Sequence, residues 1–178
     1  SLDVEREVSL RALEKAMEGD QRIFLVTQRE IGTEAPEERD LYEVGTVCAI
    51  RQILKMSGST VRILVDGFCR AKLCRLWQTE PFLQANVEAI PEEPSSEAMR
   101  KSPRTEALLR QTYALFGEYA EQASGVPEEV VATVMDSRDP GFLADYIAQN
   151  IALRYTDKQE ILEEFSPFAR LRKLNGFL

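Results

Sequence analysis

Hydrophobic and polar residues alternate most regularly between Val61 and Leu73, where every second position is apolar and the positions between are mainly polar. This pattern predicts a strand with one buried face and one wet face. The apolar positions are Val61, Ile63, Val65, Cys69, Ala71 and Leu73, and the polar ones include Arg62, Asp66, Arg70 and Lys72. A second strand-like run ends at Met56, and Gly58 can supply the positive φ that a short hairpin loop requires. We therefore predict a β-hairpin over 41–73.

Shorter patterns surround this hairpin. Gly67 falls on its apolar face, where a missing side chain permits a sharp bend or a close backbone approach, as in small barrels. The run Ile23–Val26 is wholly apolar and predicts a strand buried on both faces. Residues 28–40 are acidic, contain helix and strand breakers, and predict an exposed loop. Alternation over Leu83–Ala89 predicts another half-buried strand.

An amphipathic helix is predicted at the beginning of the chain, with Asp3 as its N-cap and Gly19 as its stop signal. Its apolar residues recur at helical spacing: Val4, Val8, Ala12, Leu13, Ala16 and Met17.

The composition changes over 91–103, a segment rich in proline, glutamate and serine. We predict a β-rich subdomain over 1–92, a linker over 93–103 and a helical bundle over 104–178. Five helices are predicted in the bundle. The first has an apolar face formed by Leu108, Leu109, Thr112, Leu115, Phe116 and Tyr119. The other four are predicted to begin near Pro127, at the cap Asp139, at the capping-box pair Thr156 and Gln159, and at Ser166-Pro167. Strands followed by helices, without βαβ alternation, predict an α+β fold.

Charge and composition narrow the function. The 178 residues carry a net charge of −8, which opposes binding to nucleic acid because no basic cluster stands out. No apolar run approaches the roughly 20 residues of a membrane helix, and no signal-peptide layout is present, so we expect a cytoplasmic protein with no membrane contact. The three cysteines, Cys48, Cys69 and Cys74, all lie in strand-like segments and are predicted to be reduced core thiols.

Catalytic chemistry has little support in the sequence. The chain has no histidine, which removes the commonest general base and zinc ligand. It also lacks a phosphate-binding loop and a dinucleotide fingerprint. Adjacent acids such as Glu92-Glu93 diverge on a helix and indicate solvated surface. We expect no catalytic residue, no metal and no cofactor, and the isolated chain is not predicted to be an enzyme.

Three segments of the hairpin region, Asp40–Val47, Ile50–Leu54 and Thr60–Gly67, closely resemble the amino-terminal domain of bacterial Lon, the ATP-dependent protease. Further similar segments follow in the family's order: Leu2–Arg6, Ile23–Gln28, Asp139–Gly141 and Lys158–Glu163. The resemblance implies a small, partly closed β-barrel related to PUA domains with one helix, followed by a helical bundle. The family's ATPase motor and serine–lysine dyad belong to later domains.

The resemblance also implies a function. Lon amino-terminal domains recognise unfolded or degron-bearing polypeptides and help the hexamer to assemble. The family usually has a proline-rich first strand that is missing here, so we expect an exposed barrel edge and a dimer formed through it with another Lon subunit. The alternatives are a stand-alone adaptor or holdase, and a PUA-like RNA-binding module, which the net charge disfavours.

Recognition of unfolded chains requires apolar side chains on the surface. Leu54 and Met56 lie at or beside the hairpin tip, where a thioether could adapt to many partners. Trp77 and Phe82 flank a break at Pro81. Packing is the favoured role for these two aromatics because large rings are usually mostly buried. For Met56, packing and exposure for binding are about equally favoured. These four residues are the candidate binding site.

Overall fold

The computed structural model describes residues 1–56, 58–92, 102–123 and 125–178. The chain divides into two compact units, Ser1–Pro91 and Glu92–Leu178. Most of the predicted linker, residues 93–101, lies outside the described residues.

The first unit is a β-sheet with one α-helix. Its elements are β1 (Leu2–Val4), α1 (Glu7–Glu18), β2 (Arg22–Leu25), a 3₁₀ turn (Glu38–Asp40), β3 (Val44–Lys55), β4 (Val61–Gln78) and β5 (Gln84–Ala89). All pairings are antiparallel, and the order across the sheet is β1-β4-β3-β2. The strand β5 also pairs with β4. β4 therefore has β3 along one edge and, on the other, β1 at Val61–Ile63 and β5 at Ala71–Gln78. The sheet is open.

The predicted hairpin and its alternation are confirmed. Gly58 has a φ of +80°, and the Met56 N–H donates to the Thr60 carbonyl at 3.0 Å. Ile63, at the centre of the apolar face of β4, is buried against Leu13 of α1 and Ile50 of β3. α1 thus covers the inner face of the sheet, and the face that carries Arg62 is the outer face.

Two predictions at the start of the chain are wrong. Asp3 does not cap a helix: it lies in β1, opposite Arg62, whose guanidinium donates to it at 2.6 and 2.8 Å, and α1 begins only at Glu7. Asp3 therefore makes an ion pair with Arg62 and pairs through its backbone with β4, instead of capping a helix. The run around Ile23 is not buried on both faces, because β2 is the last strand of the sheet and is only half-buried.

The structure shows a close backbone approach at Gly45 and not at Gly67. A Cβ at this position would lie 2.4 Å from the Leu25 carbonyl oxygen and 2.6 Å from the Phe24 ring, so β2 and β3 meet where no side chain fits. At Gly67 the nearest atom would be the Thr46 methyl at 3.5 Å. Gly67 instead lies beside a bulge, where the pairing of β3 with β4 shifts.

The second unit is helical. Its elements are α2 (Pro103–Gln122), α3 (Glu128–Asp136), α4 (Pro140–Asn150), α5 (Tyr155–Leu162) and α6 (Pro167–Asn175). These are the five predicted helices. Asp139 caps α4, accepting a hydrogen bond from the Phe142 N–H at 2.9 Å. The predicted capping box of α5 is absent: Arg154 precedes the helix, and its guanidinium binds Asp157. The α+β class is confirmed.

The helical core contains one buried cation. Among the described residues, this core is built from apolar residues of α2 to α6, among them Phe116, Val134, Ile147, Ile161 and Leu171. Arg170 is fully buried beside it and binds the Glu92 carboxylate at 2.7 Å, the Glu164 carbonyl at 3.1 Å and, in an ion pair at 3.3 Å, Asp145. Glu92 is thereby held against the helices of its own unit.

Candidate functional site

Apolar side chains are exposed at the free end of the β3–β4 hairpin. Leu54 faces Arg62 across the two strands, and both Leu54 and Met56 are nearly half exposed. Leu64 is similarly exposed and shares the outer face with Arg62, because it lies two residues further along β4. The hairpin end therefore presents aliphatic and thioether groups to solvent. On the inner face of the same strands, the apolar groups are covered.

Phe68 extends this exposed surface along β4. The register passes from Val47 opposite Cys69 to Cys48 opposite Gly67, so Phe68 is the extra residue of a bulge. Bulges redirect side chains, and Phe68 is 65% exposed. The Arg22 guanidinium lies 4.7 Å from the ring centroid, a cation–π contact that restrains the ring without covering it.

We call Leu54, Met56, Leu64 and Phe68 the outer patch. Its charged neighbours are arranged in pairs: Arg51 with Asp66 at 2.7 Å, and Arg62 with Asp3. The Arg62 guanidinium lowers the pKa of the Asp3 carboxyl through their hydrogen bonds. Since Arg51 and Arg62 both have acidic partners, apolar contact is the main attraction that this part of the patch offers to another molecule.

The other two candidate residues lie at the far end of β4. Trp77 is also the extra residue of a bulge, between the pairs Leu76–Ala85 and Gln78–Gln84, and it is 52% exposed. Phe82 is half-buried, and the Gln78 amide donates to its carbonyl at 2.9 Å. The favoured packing role is therefore wrong for Trp77, because the bulge turns its ring toward solvent.

The four predicted residues thus form two separate pairs. Trp77 lies 15 residues beyond Arg62, the partner of Leu54, which corresponds to roughly 50 Å along an extended strand. The bulges at Phe68, Cys74 and Trp77 bend the strand and shorten this distance. A single small ligand cannot contact both pairs.

Sequence reasoning missed Leu64 and Phe68. The signal was present, since both occupy the polar parity of an otherwise regular alternation. An apolar residue on the wet face of a strand is a candidate contact residue. The exposure of Phe68 also depends on the bulge, which no local pattern indicates.

Groups that could perform chemistry are sparse. Among the described residues, no group of three or more Cys, Asp or Glu side chains could hold a metal ion, and no helix in that part of the chain is long and apolar enough to cross a membrane. The three cysteines are free thiols. Burial raises the pKa of the Cys48 thiol, whereas Cys74 is exposed and is not the core thiol predicted.

The fold is that of Lon amino-terminal domains. The structure matches the N-terminal domain of a Mycobacterium avium complex Lon protease with a TM-score of 0.73 at 18% identity, covering 99% of this chain and 88% of that one. It also matches a Lon N-terminal domain protein from Xanthomonas campestris with a TM-score of 0.63 at 12% identity, with the same coverage of each chain.

Sequence comparison supplies the family. A family model described as the substrate-binding domain of ATP-dependent protease La (LON) matches residues 1–178. The chain is 40% identical to a Lon protease of Desulforamulus reducens, over 99% of this chain and 21% of that protein. It is 43% identical to that of Syntrophomonas wolfei, over 91% and 19%, and 36% identical to Lon protease 1 of Bacillus subtilis, over 99% and 22%. The chain belongs to the family of Lon substrate-binding domains, and it spans about a fifth of the length of these relatives.

Proposed function

We propose that this chain is a non-catalytic domain that captures unfolded or degron-bearing polypeptides for a Lon protease, in the cytoplasm, through the outer patch. The observation that supports the proposal best is the row of exposed apolar side chains on the outer face of β3 and β4. Folded proteins bury most such groups, so a surface that attracts them selects unfolded chains. The family's description as a substrate-binding domain supports the same function.

The composition of the patch suits varied sequences. Leu54 and Met56 are flexible and unbranched at Cβ, and Phe68 adds a large ring held by Arg22. Burial of two or three of these side chains contributes a few kcal/mol, at about 25 cal/mol per Å² of apolar area. Part of this gain is offset by ordering of the bound chain, so the affinity of one domain is expected to be micromolar or weaker. Several copies in a Lon oligomer would raise the effective affinity.

Fluorescence anisotropy of a labelled polypeptide tests capture. The probe is reduced and carboxymethylated ribonuclease A, which cannot refold, and folded ribonuclease A is the control. We expect saturable binding of the unfolded form only. Met56→Asp and Phe68→Asp should each weaken it about tenfold, because a carboxylate cannot be buried in an apolar contact.

Ile31→Asp is the matched control variant. Ile31 is 67% exposed, as Phe68 is, but it lies in the loop after β2, and its carbonyl accepts a hydrogen bond from Arg6, beside the start of α1. Its substitution should leave binding unchanged. Equal losses in all three variants would show that general surface apolarity, and not the outer patch, determines binding. Hydrolysis of casein or ATP by the purified chain would contradict the non-catalytic part of the proposal.

We propose in addition that the domain associates with other Lon subunits, and that an exposed sheet edge permits a dimer. Within the described residues, β2 is paired along one edge only. Such an edge can accept a strand from a second copy. Light scattering at high protein concentration should then give a mass above the 20.2 kDa of one chain. A strictly monomeric mass would argue against the dimer and leave polypeptide capture untouched.

A further inference from the structure

Three methionines in the described part of the chain have nearly equal exposure but different surroundings. Met56 is 42% exposed at the hairpin tip, Met17 is 39% exposed on α1, and Met135 is 44% exposed on α3. Only Met56 belongs to the outer patch. A chemical change common to all three thioethers would therefore alter the patch at one position alone.

We propose that Met56 is an oxidation site that regulates polypeptide capture: conversion of its thioether to the sulfoxide weakens binding at the outer patch. This inference rests on the proposed function. The oxidant is hydrogen peroxide. One oxygen atom is transferred to the Met56 sulfur, so that the peroxide O–O bond breaks as the S–O bond forms. The sulfur loses two electrons, and the peroxide is reduced to water.

Met56 is exposed at the hairpin end, so an oxidant in solution reaches the same side chain that a captured polypeptide would cover. Met56 follows Leu54 by two residues, and its backbone N–H is fixed by the Thr60 carbonyl at the turn. The Met56 backbone is thus tied to Thr60, while the Met56 side chain is exposed. A sulfoxide oxygen is a strong acceptor, and covering it with an apolar segment removes its water without a replacement donor. The reaction changes neither net charge nor the backbone bond of the turn.

The test uses the whole chain and the carboxymethylated ribonuclease A probe. The chain is treated with hydrogen peroxide, freed of peroxide and then incubated with dithiothreitol, which reverses sulfenic acids and disulfides of the three cysteines but not methionine sulfoxide. Mass spectrometry follows the gain of one oxygen at each methionine. We expect about a tenfold weaker binding once Met56 is oxidised, and recovery after treatment with methionine sulfoxide reductases.

Variants assign the effect. Met56→Leu should have the same affinity for the probe before and after peroxide, whatever that affinity is, whereas Met17→Leu and Met135→Leu should lose affinity as the wild type does. Unchanged binding by a wild-type chain with fully oxidised Met56 would overturn the inference and leave polypeptide capture intact. A loss of affinity in peroxide-treated Met56→Leu would also overturn it. Absence of binding by the untreated chain would instead refute the proposed function, and the inference with it.

Discussion

Gly45→Ala should destabilise the first unit severely. The added Cβ would lie 2.4 Å from the Leu25 carbonyl oxygen and within 2.7 Å of two Phe24 ring atoms. The ring can rotate away, but the carbonyl belongs to the β2 backbone, which pairs with β3 at this point through Leu25 and Thr46. Relief therefore requires β2 to move from β3. Overpacking costs about 1–3 kcal/mol when side chains can adjust, and a backbone clash should reach the upper end, about 3 kcal/mol.

Gly67→Ala is the matched control. The same methyl group is added to the neighbouring strand of the same sheet, yet its nearest contact is the Thr46 methyl at an ordinary 3.5 Å. Neither glycine has a positive φ. Gly67→Ala should thus stay within about 1 kcal/mol of the wild type.

Urea denaturation followed by tryptophan fluorescence measures both free energies of unfolding. Trp77 is the only tryptophan of the chain and lies in β4, so its signal reports on unfolding of the sheet in the first unit. With a slope of about 1–2 kcal/mol per molar urea for a unit of this size, Gly45→Ala should shift the midpoint downward by about 2 M. Midpoints that agree for the two variants would show that β2 separates from β3 at little cost and would refute the steric argument.

Three further predictions follow from single contacts. The Arg62 guanidinium lowers the pKa of Asp3, so this pair stabilises the fold above the ordinary carboxyl value near 3.8, and the stabilisation is lost as the pH falls through the lower folded value. The protection of the Val4 amide from hydrogen exchange, expressed relative to the intrinsic exchange rate at each pH, should therefore fall below pH 4 in the wild type, and the same fall in an Asp3→Asn variant would contradict this. Cys74 is exposed and should react rapidly with a disulfide reagent at pH 8. Cys48 is buried and its pKa is raised, so it should react only after unfolding. The Cys74→Ser variant should lack the rapid phase of the reaction. Asp139→Ala removes the acceptor of the Phe142 N–H and should destabilise the second unit by about 1 kcal/mol in thermal unfolding, while Asp139→Asn should retain most of the cap.

The sequence predicted correctly those elements whose structure depends on residues close together in the chain. The hairpin follows from alternation and from Gly58, and α4 follows from Asp139 and its apolar stripe, because each signal lies within a few residues of the structure it forms. β1 was mistaken for the start of a helix because its partner, Ile63, lies far along the chain and no local signal indicates the pairing. The register of a sheet depends on such distant pairs.

The same limit applies to the site. Exposure of Leu54 and Met56 at the hairpin end could be predicted from their position beside a turn. The exposure of Trp77 could not, since average burial of large rings indicated packing, and only the pairing of β4 with β5 reveals that this residue is the extra one of a bulge. Phe68 was overlooked for a related reason: its parity was visible, but the bulge that leaves its ring uncovered arises from the register with β3.

The length of β4 has a geometric consequence. The hairpin end lies at one extremity of β4 and Trp77 at the other, so about 15 residues of the strand separate the two exposed groups. An extended chain advances about 3.3 Å per residue, and the bulges of β4 bend the strand, so its two ends are closer together than its length along the backbone. If the outer patch captures polypeptides as proposed, a bound segment that also reached Trp77 would have to be extended, which a denatured polypeptide permits and a folded one does not.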